Sequence, residues 1–134
     1  MTKSAFPPHY YGFTWSSIGV ATEYVEPAIV IREGRKTAVP SLTERATVVI
    51  DGVTYEEDLT SGGAADLPDV LEGKVHRLDY KTLRHPGHYA WVDNLLSTMP
   101  QNAERRAELL QNHMEKAIPQ IQDDVVVIYA SVDG

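Results

Sequence analysis

Thr47-Val48-Val49-Ile50-Asp51-Gly52-Val53-Thr54-Tyr55-Glu56-Glu57 is the stretch on which the fold turns. Two β-rich runs flank Asp51-Gly52. Asp-Gly is a preferred pair for the two-residue type I′ turn, whose twist matches that of the strands it joins. The stretch therefore predicts an antiparallel hairpin. A second hairpin precedes it. Residues 28–32 are apolar and β-branched, Glu33-Gly34-Arg35 reads as a three-residue loop with a central glycine, and residues 36–39 return.

Working outward, Ile18, Ala21 and Val25 share one face of a short helix over residues 16–26. Ser16 or Ser17 is its cap, and Pro27 ends it because proline has no amide hydrogen to donate. Thr60 to Gly63 is a Ser/Gly break, and residues 66–73 are turn-rich with one helical turn. Residues 74–83 alternate as a strand with one wetter face. Val92, Leu95, Leu96 and Met99 then recur at the spacing of one buried helical face, closed by Pro100. Ala103, Ala107, Leu110, Met114 and Ala117 make a narrower stripe, with Asn102 as cap and Pro119 as the stop. Residues 125–130 are a continuous apolar run and read as a central strand covered on both faces. The sum is an α+β fold: a mixed sheet of about five strands with helices packed on one face. There is no internal repeat and no low-complexity segment.

A chain of 134 residues suits one domain. At this length roughly 68% of the unfolded surface is buried, enough for a real core. Hydrophobic content of 43% and charged content of 23% argue against disorder. The net charge of -7 repels nucleic acid and anionic membranes. Arg105-Arg106 and Arg35-Lys36 are isolated basic pairs that read as solvated surface. With no cysteine, disulfides, thiolate zinc sites and a cysteine nucleophile are excluded. No apolar run approaches the ~20 residues of a membrane span, and residues 1–8 have no signal-peptide core. The expected location is the cytoplasm. Residues 1–10 read as a tail or linker remnant and residues 11–134 as the domain. A start so close to mid-domain sequence suggests a cut fragment.

The chemistry is bounded first by what is missing. No Gly-x-Gly-x-x-Gly follows a strand, and there is no P-loop, so any nucleotide is bound mainly by another segment. No Ser/His/Asp spacing points to a hydrolase. His85 and His88 flank Pro86-Gly87. A metal there needs a third ligand and a rigid frame, and the plainer reading starts a helix at His88 and leaves His85 in solvent. Arg84 sits where a strand meets the Pro-Gly turn, a position from which a guanidinium binds a carboxylate in bidentate fashion. The other reading is a surface arginine paired with Asp79. Tyr10-Tyr11, Phe13 and Trp15 either anchor a chain end in the core or line a pocket for an aliphatic stem. Thr60-Ser61-Gly62-Gly63 offers hydroxyls and amides to a carboxylate, or is a connector. Tyr80 and Lys81 are acid or base candidates only if buried.

Several stretches together carry a resemblance. Thr14-Trp15-Ser16-Ser17-Ile18-Gly19-Val20 followed by Glu23-Tyr24-Val25-Glu26-Pro27-Ala28, the Thr60-Ser61-Gly62-Gly63 turn and Lys81-Thr82-Leu83-Arg84-His85-Pro86-Gly87-His88 resemble the bacterial saccharopine dehydrogenase-like family. The ending Gln122-Asp123-Asp124-Val125-Val126 also fits, while His85 stands where the family has a tyrosine. Members have an N-terminal Rossmann domain for NAD or NADP and a second domain that holds an amino-acid substrate and helps form a dimer. They interconvert an amine and an imine by hydride transfer. The resemblance implies that this chain is the substrate-binding and dimerisation portion of an NAD(P)-dependent saccharopine or lysine dehydrogenase-like oxidoreductase, inactive alone. Neither NAD nor NADP is expected on the chain alone. It implies Arg84 as the substrate carboxylate ligand, with Trp15, Ser16 and Ser61 lining the pocket. It assigns no catalytic acid or base. The expected partners are an amino-acid-type substrate, the Rossmann domain of the same polypeptide and a second copy in a homodimer. The competing reading is a stand-alone ligand-binding or oligomerisation module without catalysis, because fold does not fix function. A weaker reading is an unrelated small enzyme using the histidines and Arg84.

Overall fold

The turn chemistry at Asp51-Gly52 does what its residues dictate. In the computed structural model, which describes residues 1–2, 8–101 and 103–134, β3 (Ala46–Ile50) pairs antiparallel with β4 (Val53–Leu59). Ile50 lies opposite Val53, and Asp51 and Gly52 have φ of 50° and 77°, the left-handed pair that a type I′ turn needs. The earlier hairpin joins β1 (Ala28–Arg32) to β2 (Arg35–Val39). Arg32 pairs with Arg35, so the connection is a two-residue turn, Glu33-Gly34, and not the expected three-residue loop. Both turn residues again take positive φ.

The fold is α+β, with four helices and five strands among the described residues. The strands divide into the β1-β2 hairpin and a three-stranded sheet ordered β3-β4-β5, all antiparallel, where β5 is Lys81–Arg84. The strand expected over residues 74–83 is therefore shortened. Its first half wraps the β1–β2 turn instead. Gly34 N donates to His76 O at 2.9 Å, and Gly73 N donates to Gly34 O at 2.9 Å. A single bridge, Ile31 with Leu78, ties the hairpin to this segment.

Helix α1 (Ser17–Val25) starts as expected, with the Ser16 hydroxyl accepting from Gly19 N at 3.2 Å, and stops before Pro27. Its buried face is Val20, Ala21 and Tyr24, rotated from the expected Ile18-Ala21-Val25 stripe, and Ile18 is exposed. Helix α2 (Leu67–Leu71) is the expected short turn. Helices α3 (His88–Ser97) and α4 (Ala103–Ala117) follow the two apolar stripes. Asn102, the expected cap of α4, lies outside the described residues. Helix α1 packs along α4. The main core joins Phe13, Tyr24, Tyr89, Val92, Leu110 and Met114, and a smaller cluster of Ala28, Val30 and Leu59 lies under the hairpin.

The ends of the chain meet. Phe13 bridges Gln120 in parallel, and the Asp124 carboxylate holds both the Met1 amine and the Thr14 hydroxyl. Thr2 is buried and accepts from His85. The expected central strand over residues 125–130 does not form. Val126 and Ile128 are 78% and 86% exposed, while Val125, at the start of the run, is tied to Met1 by both its N–H and its carbonyl. An apolar run reports that a segment needs covering, not what covers it. Among the described residues no strand pairs with this one.

Candidate functional site

Arg84 ends β5, and the Pro86-Gly87 turn behind it leads into α3. Antiparallel pairing sets it opposite Glu56. Helix α1 brings Tyr24 against it, and the segment before α1 brings Tyr11. The guanidinium carbon stands 4.8 Å from the Tyr11 ring centroid and 5.8 Å from that of Tyr24. Nε donates to the Tyr24 hydroxyl at 2.8 Å, and Nη1 donates to the Leu83 carbonyl at 3.0 Å.

Only 7% of Arg84 is exposed, yet it pairs with no carboxylate among the described residues. Asp79, the expected partner of a surface arginine at this position, is taken by Arg32 and Arg77. Nη2 has no acceptor among the described residues and is not sealed away from solvent. A buried charge without a counter-charge is costly unless something replaces the lost water. Burial opposes the charge here, and the interactions with the Tyr24, Tyr11 and Tyr89 hydroxyls, including the hydrogen bond to Tyr24, outweigh it, so the guanidinium pKa is held above its ordinary range.

Burial opposes the charged form of each group around Arg84. Burial pushes the Tyr24 hydroxyl up, against the opposing pull of Arg84, and Tyr11 moves the same way for the same reasons. Burial raises the Glu23 carboxyl, again against Arg84. His88 is fully buried beside Tyr24, with Nε2 2.9 Å from the Tyr24 hydroxyl and Nδ1 3.0 Å from the His9 carbonyl. Burial, and then the charge on Arg84, bring its pKa down to about 3.

Arg84, Tyr11 and Trp15 line an open cleft of about 990 Å³. Val48, Ile50 and Leu83 give it an apolar wall, and the run after Asp124 flanks it on the other side. Glu57, Asp79, Lys81 and Asp124 also line it, so Arg84 is one of several charges in a cleft whose surface is mostly apolar. The volume falls in the range of small-ligand sites.

The structure brings two of the expected site residues together and places two elsewhere. Arg84 and Trp15 share the cleft, with Trp15 48% exposed. Ser16 is occupied as the cap of α1. Ser61 anchors the Ser/Gly turn to the end of α1: its amide donates to Glu23 O at 3.0 Å and its hydroxyl to Thr22 O at 3.3 Å. The aromatic cluster divides. Phe13 is core, Tyr11 is core and also backs Arg84, and Trp15 faces the cleft.

His85 corrects the sequence reading. It is buried, stacked on Tyr55 with ring centroids 5.7 Å apart, and bonded to Thr2 O, so it does not face solvent. His88 does start α3. Among the described residues no cluster of His, Asp or Glu is set to hold a metal ion. Tyr80 is exposed, and the Lys81 ammonium is held by Glu44 O at 2.7 Å and Glu57 at 3.5 Å, so neither is a buried acid or base. Sequence reasoning missed Tyr24 and the role of His88. The signal for Tyr24 was the helical spacing Val20-Tyr24, one register away from the stripe read first. No protein-family model matches this chain. Among the described residues no helix is long and apolar enough to cross a membrane.

Proposed function

We propose that this chain is the substrate-binding and dimerisation portion of a saccharopine or lysine dehydrogenase-like oxidoreductase that uses NAD or NADP, and that Arg84 binds the carboxylate of an amino-acid-type substrate. The observation that carries the reading is a buried, permanently charged guanidinium with open N–H groups and no carboxylate partner among the described residues, lining a largely apolar cleft. A charge in that setting gains more from an incoming carboxylate than a surface arginine does, because water has already been removed from it. Trp15 offers an apolar face for the aliphatic stem of the ligand. The phenols and the imidazole beside Arg84 are held neutral, which suits binding and not proton transfer. Hydride transfer needs a rigidly held cofactor, which falls to a Rossmann domain of the same polypeptide. The exposed apolar run after Asp124 supports pairing with a second copy. The absence of cysteine fits a cytoplasmic location.

The test is a calorimetric titration of the chain with L-saccharopine and L-lysine, with the corresponding carboxamides, and with NADH and NADPH. We expect the acids to bind and the amides not. Arg84→Ala should weaken the acids by about 1.5–3 kcal/mol, the range for a lost hydrogen bond to a charged group. Neither nicotinamide cofactor should bind at micromolar concentration. Amides that bind as well as acids, or acid binding unchanged in Arg84→Ala, would remove Arg84 from the site. Micromolar binding of either cofactor would overturn the assigned division between domains.

A further inference from the structure

Three polar groups stand behind Arg84 in a chain whose proton order is fixed from its far end. The His9 carbonyl only accepts, so the proton of His88 nearest to it sits on Nδ1. The buried ring is neutral. Its Nε2 therefore presents a lone pair and accepts the Tyr24 O–H at 2.9 Å. The Tyr24 oxygen, having spent its one proton on His88, is an acceptor toward Arg84 Nε at 2.8 Å. No alternative orientation of the Tyr24 hydroxyl satisfies both neighbours.

The consequence lies at the other end of the chain. A guanidinium has five N–H groups in a rigid plane and offers a carboxylate two forked edges. The side-on edge needs Nε, which Tyr24 occupies. One Nη1 proton goes to the Leu83 carbonyl. What remains is one N–H on Nη1 and two on Nη2; with the Leu83 carbonyl on the outer Nη1 proton, the end-on fork is among them. We propose that Tyr24 and His88 are positioning residues that lock the Arg84 guanidinium in rotation, so that its Nη1–Nη2 edge takes a ligand carboxylate end-on. The inference rests on the carboxylate-binding reading of Arg84 given above.

The wild-type chain labelled with ¹⁵N tests it without any ligand. At pH 7 the His88 ring should show the neutral Nδ1–H tautomer, and Arg84 Nε–H should give a resolved, slowly exchanging resonance. In Tyr24→Phe that resonance should broaden by faster exchange while the backbone amide spectrum is retained. Affinity for hexanoate, an aliphatic monocarboxylate used as the probe, should fall about tenfold, the loss of one charge-assisted hydrogen bond's worth of order. His88→Leu should behave like Tyr24→Phe. His88→Gln, which keeps an acceptor for the Tyr24 hydroxyl, should recover part of the affinity and of the Nε–H protection, and it serves if the phenylalanine variant does not fold. An Nε2–H tautomer in the wild type, or unaltered Nε–H exchange and hexanoate affinity in folded variants, overturns the positioning role alone. A wild-type chain that shows the expected tautomer yet does not bind hexanoate overturns the carboxylate reading, and the end-on mode with it.

Discussion

Arg84 and His88 carry opposite instructions from the same burial. A guanidinium keeps its charge when buried, whereas an imidazole gives its charge up. With a pKa of about 3 in the folded chain against 6.5 for the free side chain, His88 binds no proton across a window in which the unfolded chain does. Unfolding therefore takes up a proton there, and stability rises with pH through the window, with the full contribution present above pH 6.5. Going from pH 7 down to pH 5 should cost about 2 kcal/mol of stability. Asp79 and Asp124 act lower, because hydrogen bonds and neighbouring cations hold both below 3.8. Glu23, raised by burial, works with the opposite sign, and His9, lowered by burial, with the same sign, so the comparison with a His88 variant identifies the residue. Urea denaturation at pH 7 and pH 5 measures it, and His88→Gln should remove most of the difference. An equal pH 7 to pH 5 difference in wild type and His88→Gln would mean that the ring is not neutral and buried. The sequence marked Arg84 as a candidate through its place between a strand and Pro86-Gly87. It left open a surface arginine paired with Asp79. What decides between them is Tyr11 and Tyr24, at least 60 positions away, and no local pattern encodes that contact.

At the scale of elements, the legible parts are those whose cause is local. Asp51-Gly52 specifies its hairpin because two consecutive left-handed residues admit few side chains. Gly87 is a second such position. It caps α3 with φ 103° and ψ -26°, and its amide donates to Glu56 Oε1 at 3.0 Å, which joins the helix start to β4. A Cβ there would meet the Tyr10 ring at 2.6 Å, while one at Gly52 would meet nothing within 4 Å. Gly52→Ala should cost about 1 kcal/mol from backbone strain alone. Gly87→Ala should cost more, about 1–2 kcal/mol from φ plus whatever the Tyr10 contact adds. It should also weaken carboxylate binding, because His88 follows immediately and carries the hydrogen bond behind Tyr24. Denaturant midpoints of the two variants, compared side by side, check the order. Equal losses would show that Tyr10 yields freely. Where the cause is distant, the reading fails. Residues 74–76 have strand-like alternation, but Lys74 N and Val75 N donate to Leu71 O and His76 O accepts from Gly34 N, so they lose their ladder.

The apolar run at residues 125–130 is a problem for the whole molecule. Its composition asks for cover on both faces, yet Val126, Ile128, Tyr129 and Val132 stand in solvent. Among the described residues, strands β3 and β5 each pair on one side only, and Val49 on β3 is also exposed. Open strand edges and exposed β-branched residues favour association with another strand. The net charge of -7 works against two copies meeting, and salt screens that repulsion. The expected behaviour is therefore a dimer in sedimentation equilibrium at micromolar concentration that tightens as salt rises from about 0.05 to 0.5 M, since the Debye length shrinks severalfold over that range. Lysines at two exposed apolar positions, Val126→Lys with Ile128→Lys, should give a monomer without loss of thermal stability, because neither side chain belongs to either core cluster. Hydrogen exchange adds a site-specific check: amides 126–130 should be protected in the dimer and open in the lysine variant. A wild-type chain that stays monomeric at high salt, with those amides open, would mean that residues 125–130 are covered by a different segment or partner and not by a second copy.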